Sequence, residues 1–172
     1  MLSMPSLTRA VAALALLAAV AAPPARADEA QADYSGEDIV RILHDNGYKA
    51  LLETDKQGDP MIRSAAAGSR YTVYFYDCTA DEPRRCKALS FFLTWTNTQL
   101  KLTLDEVNEF SNRFRTPKMT LRDEVIAFQV NLPVAATAPA HIVSLLTLWE
   151  RSLANADRFF TEVAARRKAS PS

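Results

Sequence analysis

Tyr71-Thr72-Val73-Tyr74-Phe75-Tyr76 and Lys87-Ala88-Leu89-Ser90-Phe91-Phe92-Leu93-Thr94-Trp95-Thr96 decide the fold of this 172-residue chain. The first stretch consists only of β-branched and aromatic residues, which suit a pleated, half-buried surface. The second alternates: Leu89, Phe91, Leu93 and Trp95 fall on one side, and Ala88, Ser90, Thr94 and Thr96 on the other. Both read as strands of an antiparallel pair. Cys78 and Cys86 flank the connection between them, so a bridge there would pin the strand ends and fix their register.

Upstream, Pro60 to Ser64 reads as a short strand, with proline at the first position where its missing N–H is tolerated. Lys56-Gln57-Gly58-Asp59 is a turn, and Tyr48 to Glu53 is a further strand. Before it, Ser35 and Asp38 form a capping box for a helix whose apolar side carries Ile39, Ile42 and Leu43. Gly47 is placed to end that helix in the left-handed conformation.

Downstream, Thr103 and Glu106 make a second capping box, and Val107, Phe110 and Phe114 form the stripe of the helix it opens. Pro117 stops it. Lys118 to Arg122 and Val125 to Leu132 form a hairpin around Asp123-Glu124, with Ile126, Phe128, Val130 and Leu132 on its inner side. Pro133 to Pro139 is a linker in which Thr137 can cap the last helix. From Pro139 to Ala165, the residues Ile142, Leu146, Trp149, Leu153, Ala156, Phe160 and Val163 recur at spacings of four and three. Such a stripe serves a helix packed across a sheet or a helix of a dimer, and both uses are open. Runs of strands separated by single helices define an α+β domain: an antiparallel sheet flanked by helices, in the order α-β-β-β-β-α-β-β-α.

The N-terminus sets a compartment. Arg9 precedes an apolar run from Ala10 to Ala22, Pro23-Pro24 ends it, and Ala25-Arg26-Ala27 fits a signal-peptidase site. Residues 1–27 are expected to be a secretory signal peptide cleaved after Ala27; the run is short for a membrane anchor. The expected organisation is then a flexible N-terminus at 28–34, one α+β domain at 35–165 and a disordered tail at 166–172, in the periplasm or secreted, with no membrane span after cleavage. Loss of Arg9 and Arg26 leaves eighteen basic residues against twenty acidic ones, a net charge of −2. No strong field draws in nucleic acid. In an oxidising compartment, two nearby cysteines and no third favour a disulfide over free thiols. Their spacing fits neither a zinc knuckle nor a Cys-x-x-Cys redox pair.

Chemistry is sparse. His44 and His141 are the only histidines and sit near helix ends, where capping or surface roles suffice. Asp55 and Asp59 flank a turn, for which aspartate is suited without any catalytic role. Arg84, Arg85 and Lys87 are offset by Asp77, Asp81 and Glu82. No catalytic residue, metal ligand or cofactor site is expected, and the chain reads as no enzyme. One feature points to binding. With Leu89, Phe91, Leu93 and Trp95 facing a core, Phe92 faces away, and the more polar side of the neighbouring strand, Thr72, Tyr74 and Tyr76, faces away with it. Aromatic residues on the second face of an antiparallel sheet need a cover, either another helix of the chain or a partner.

Several stretches together resemble the YbjN family, whose label is regulation of bacterial sensory transduction. They are Gly58-Asp59-Pro60-Met61-Ile62-Arg63-Ser64, Tyr71 to Cys78, Leu104-Asp105-Glu106-Val107-Asn108-Glu109-Phe110-Ser111-Asn112, the neighbourhood of Leu132, and Leu148-Trp149. The resemblance runs from Ser35 to Phe160. Where the family commonly has a glycine and a tyrosine before the hairpin, this chain has Arg115-Thr116-Pro117-Lys118-Met119. The resemblance implies a fold like that of type III secretion chaperones, which often dimerise and hold other proteins. It brings no catalytic residues. The resulting expectation is a non-enzymatic protein-binding or regulatory module of the bacterial envelope. Its partner would be an envelope protein or a second copy, met through the last helix or the sheet face. The alternative is a small-ligand or ion-binding sensor with a pocket between the sheet and the last helix.

Overall fold

The structure is a computed structural model and describes residues 33–169. The expected signal peptide at 1–27 lies outside the described residues, as do 28–32 and 170–172.

Eleven elements run along the described chain: β1 (Tyr34–Ser35), α1 (Gly36–Asp45), β2 (Ala50–Thr54), β3 (Pro60–Ala66), β4 (Ser69–Cys78), β5 (Arg85–Thr96), α2 (Asn97–Leu100), α3 (Leu104–Arg113), β6 (Lys118–Arg122), β7 (Val125–Pro133) and α4 (Pro139–Ala169). The strands form a single antiparallel sheet in the order β2-β3-β4-β5-β7-β6, with β1 beside the start of β5. This is the expected α+β architecture. The sequence reading lacked only the two-residue β1 and the single turn α2.

Local chemistry starts and stops the helices. Ser35 and Asp38 cap α1 reciprocally, and Thr103 and Glu106 do the same for α3, each box satisfying two otherwise orphaned N–H groups. After α1, Gly47 takes φ +84° and the Tyr48 amide donates back to the Leu43 carbonyl, a left-handed exit that glycine allows at little cost. Gly36 sits in a close approach as well. A Cβ there would sit 2.6 Å from Leu52 Cδ1, where the start of α1 crosses β2.

One core holds the domain together. Ile62, Val73, Phe91 and Leu89 face the same side as Phe128 and Ile126, and α1, α3 and α4 cover that side with Ile39, Leu43, Phe110 and Trp149. Trp149 is the hub, with ring centres 5.6 Å from Tyr71, 5.8 Å from Phe91 and 5.5 Å from Phe128. The long stripe of α4 is spent on this core: Ile142, Leu146, Trp149, Leu153, Ala156 and Val163 are all buried, and Phe160 packs edge-to-face on Trp95. Of the two uses open to the stripe, packing across the sheet is the one found.

Three expectations need correction. Tyr34, placed in the flexible segment 28–34, is fully buried, because its hydroxyl donates to the Thr137 carbonyl and its backbone pairs with Cys86. The tail expected from residue 166 is helical to Ala169, because Arg166 and Arg167 are held by Glu109 and Glu106 of α3. The strand read over Tyr48 to Glu53 runs from Ala50 to Thr54, Tyr48 being used in the helix exit. The Thr137 hydroxyl, just ahead of α4, donates to the Val134 carbonyl at 2.6 Å.

Candidate functional site

The two cysteines form a disulfide. They are register partners across β4 and β5, with Cα atoms 3.9 Å apart. Cys86 is fully buried and also faces Tyr34 of β1, so the bridge closes the corner where three strands meet. It ties down the end of the β4–β5 pair, the two strands that carry the aromatic residues of the outward face.

That face is set by strand alternation. Because Val73 and Phe91 point into the core, Thr72 and Phe92 point out, and they stand directly opposite each other. Neighbouring registers extend the row across the sheet: Leu51, Arg63, Thr72, Phe92, Gln129 and Lys118 lie side by side on β2, β3, β4, β5, β7 and β6. Tyr74 stands one row further along and meets Phe92 edge-to-face, with 6.0 Å between ring centres. Arg63, Arg70, Thr72, Tyr74, Phe92 and Thr94 surround a hollow of about 380 Å³. Tyr76 is half exposed and borders a second hollow of about 590 Å³ shared with Tyr74, Met61 and the turn at Asp55–Gln57.

The four residues picked out in the sequence, Thr72, Tyr74, Tyr76 and Phe92, therefore share one face. Thr72, Tyr74 and Phe92 meet around one hollow, and Tyr76 stands at the next. No helix among the described residues covers them. The sequence reading missed Arg63 and Arg70. Alternation within β3 and β4 could have turned both outward, but only the strand register puts Arg63 beside Thr72.

The titratable residues elsewhere are engaged in structure. His44 Nε2 lies 3.2 Å from the Ala50 carbonyl at the end of α1, and His141 is exposed in the first turn of α4. Asp55 Oδ1 accepts from the amides of Gln57 (2.8 Å) and Asp59 (3.0 Å), which makes it the organiser of its turn. Asp59 accepts from Arg84 Nη1 at 2.7 Å, and that carboxylate, with Glu82, raises the Arg84 pKa. Arg85 donates to the Asp33 carbonyl. Among the described residues no group of three or more His, Cys, Asp or Glu side chains could hold a metal ion, and no helix is long and apolar enough to cross a membrane.

Burial leaves one further polar cluster. Ser64 Oγ, Tyr71 Oη and Trp149 Nε1 are buried with no hydrogen-bond partner among the described residues. Burial pushes the Tyr71 phenol up to about 12. The Ser64 hydroxyl, across the strand pair, is near enough to oppose that shift, yet the two do not meet hydrogen-bond geometry.

A single antiparallel sheet with helices on one face and an aromatic, uncovered opposite face defines a sheet-platform domain, with no catalytic constellation in view among the described residues. Over residues 35–165 the chain matches the YbjN family, described as "Putative bacterial sensory transduction regulator". The match covers most of the chain, and the protein belongs to that family. No curated protein and no solved structure matches it.

Proposed function

We propose that this YbjN-family chain is an exported, non-enzymatic protein-binding module of the bacterial envelope, and that it regulates by contact. The outward sheet face carries the reading. Tyr74 and Phe92 meet edge-to-face beside a hollow on a face that no described helix covers, and aromatic residues of this kind are enriched at protein interfaces. The leader-like residues 1–27 and the Cys78–Cys86 bridge both suit an oxidising compartment outside the cytoplasm. A chain released there has no access to DNA, so regulation requires touching another envelope protein or a second copy. Self-association would use the sheet face, since the stripe of α4 is consumed by the core. The chaperone-like behaviour implied by the family resemblance accords with a holding role, although fold alone assigns none. A photo-activatable residue at Phe92, introduced into the full chain in its native envelope, tests the reading by trapping whatever lies on the face.

A second reading rests on a separate observation. Hollows of about 200 and 470 Å³ lie on either side of the Trp95–Phe160 pair, where β5 meets α4. A small-molecule sensor would use this place. It predicts a melting temperature that rises with ligand, and a screen of envelope metabolites without any shift removes it.

A further inference from the structure

We infer that the outward sheet face takes an acidic polypeptide segment, laid across the strands with an apolar side chain on Phe92 and carboxylates on the flanking cations. This inference rests on the protein-binding reading and specifies the partner's chemistry.

Charge is not spread evenly over the face. Strand alternation and register turn Arg63, Arg70, Lys118 and Arg122 outward, against Glu53 as the one acidic residue in the paired rows of the face. The chain as a whole is neutral, so this surface is basic beyond its share. All four cations are exposed, and no ion pair among the described residues engages Arg70, Lys118 or Arg122. Arg63 donates to Glu53 at 2.8 Å, an exposed contact that an incoming carboxylate can replace at small cost. Asp55 and Asp59 border the second hollow, and Asp123 and Glu124 turn the hairpin beside Arg122.

The arrangement also has a length and a direction. Arg63, Thr72, Phe92, Gln129 and Lys118 occupy one row on successive strands. Four inter-strand steps of about 4.8 Å separate its two cations by about 19 Å. A small anion cannot bridge that distance, whereas an extended polypeptide covers it in about six residues. Between the cations the row supplies an aromatic ring, and Thr72 and Gln129 offer hydroxyl and amide groups to a peptide backbone. An aromatic centre with polar, cationic flanks is the pattern of a protein-recognition surface. Nucleic acid would need a longer track of cations for its closely spaced phosphates.

The test uses the full chain and a fluorescein-labelled peptide of about eight residues, long enough to cross the row, in which glutamates flank a central leucine pair. Its lysine counterpart and single-stranded DNA serve as comparisons, and binding is read by fluorescence anisotropy. The acidic peptide is expected to bind. The double variant Arg70→Glu/Lys118→Glu is expected to weaken it about tenfold or more, and Glu53→Gln to leave it equal or tighter. Because these side chains are exposed, the variants are expected to melt with the native protein, and milder Arg70→Gln/Lys118→Gln gives a graded control. Equal binding of the lysine peptide, unchanged binding by the double variant, or tighter binding of DNA overturns the inference. The photo-crosslinker at Phe92 separates the two levels. A protein captured equally well by the charge-reversed chain overturns the acidic partner and leaves the protein-binding reading standing; no capture at all overturns both.

Discussion

The Tyr34 hydroxyl donates to the Thr137 carbonyl at 2.7 Å, joining residues 103 apart in sequence. Tyr34 is fully buried, so this bond closes the domain where its first strand meets the entry to its last helix. Replacing Tyr34 by Phe leaves the carbonyl without that donor in a part-buried place. We expect a loss of about 1–2 kcal/mol in urea unfolding, with the slope of the transition unchanged. Removing Tyr34 together with everything before it is expected to lower stability further than Tyr34→Phe, because the β1 pairing with Cys86 and Arg85 goes with it.

The bridge gives a second test. The chain-entropy model assigns a loop of this size, with its eight-residue separation, about 2–3 kcal/mol of stabilisation. Cys78→Ser/Cys86→Ser is therefore expected to unfold at clearly lower denaturant. The same material tests export. Mass spectrometry of protein recovered from the envelope is expected to show an N-terminus at Asp28 and a peptide linking Cys78 to Cys86. Free thiols, or a retained leader, would count against the proposed compartment.

Acid sensitivity should come in part from the seam between α3 and α4. Arg166 donates to Glu109 and Arg113 to Glu162, and each bond holds its carboxylate below the ordinary glutamate value of 4.5. A depressed carboxylate stabilises the fold fully above its unfolded pKa. That contribution is lost as pH falls from about 4.5 through the lower folded value. Both groups are exposed, so the effect is small and salt-sensitive. Glu109→Gln/Glu162→Gln is expected to flatten the acid limb of stability against pH, and salt is expected to flatten it in the native protein.

Tyr71 acts at the other end of the pH scale. Its phenol is pushed from 10.0 to about 12 by burial, so the folded state keeps a proton that the unfolded chain releases. Stability is then untouched below pH 10 and falls as pH rises from 10 towards 12. Since no group among the described residues hydrogen-bonds its hydroxyl, Tyr71→Phe is expected to be neutral or stabilising at pH 7 and to lessen the alkaline loss.

The parts of this structure that could be read in the sequence are those fixed by near neighbours. Both capping boxes, the left-handed exit at Gly47 and the Asp123 hairpin need only a few consecutive residues. Alternation in β5 separated Leu89 and Phe91 from Phe92, and relative polarity turned Tyr74 outward correctly. What stayed hidden depends on partners far away in the chain. Nothing near Tyr34 announces Thr137, and the basic run Arg166-Arg167-Lys168 suits a helix C-terminus by its charge, but only Glu106 and Glu109 beside it show what holds that end. The basic character of the outward face was hidden for the same reason. Arg63, Arg70 and Lys118 lie on three strands, and only the register gathers them around Phe92.

The central claim, that the outward sheet face holds a protein, is tested most directly by comparing two positions of one photo-crosslinker in the native envelope. One replaces Phe92 on the face, and the other replaces exposed Arg151 on α4. The expected result is a discrete protein adduct from position 92 that is absent from position 151 and is lost with Tyr74→Ala. Monomer alone from position 92, or the same adducts from both positions, would contradict the claim.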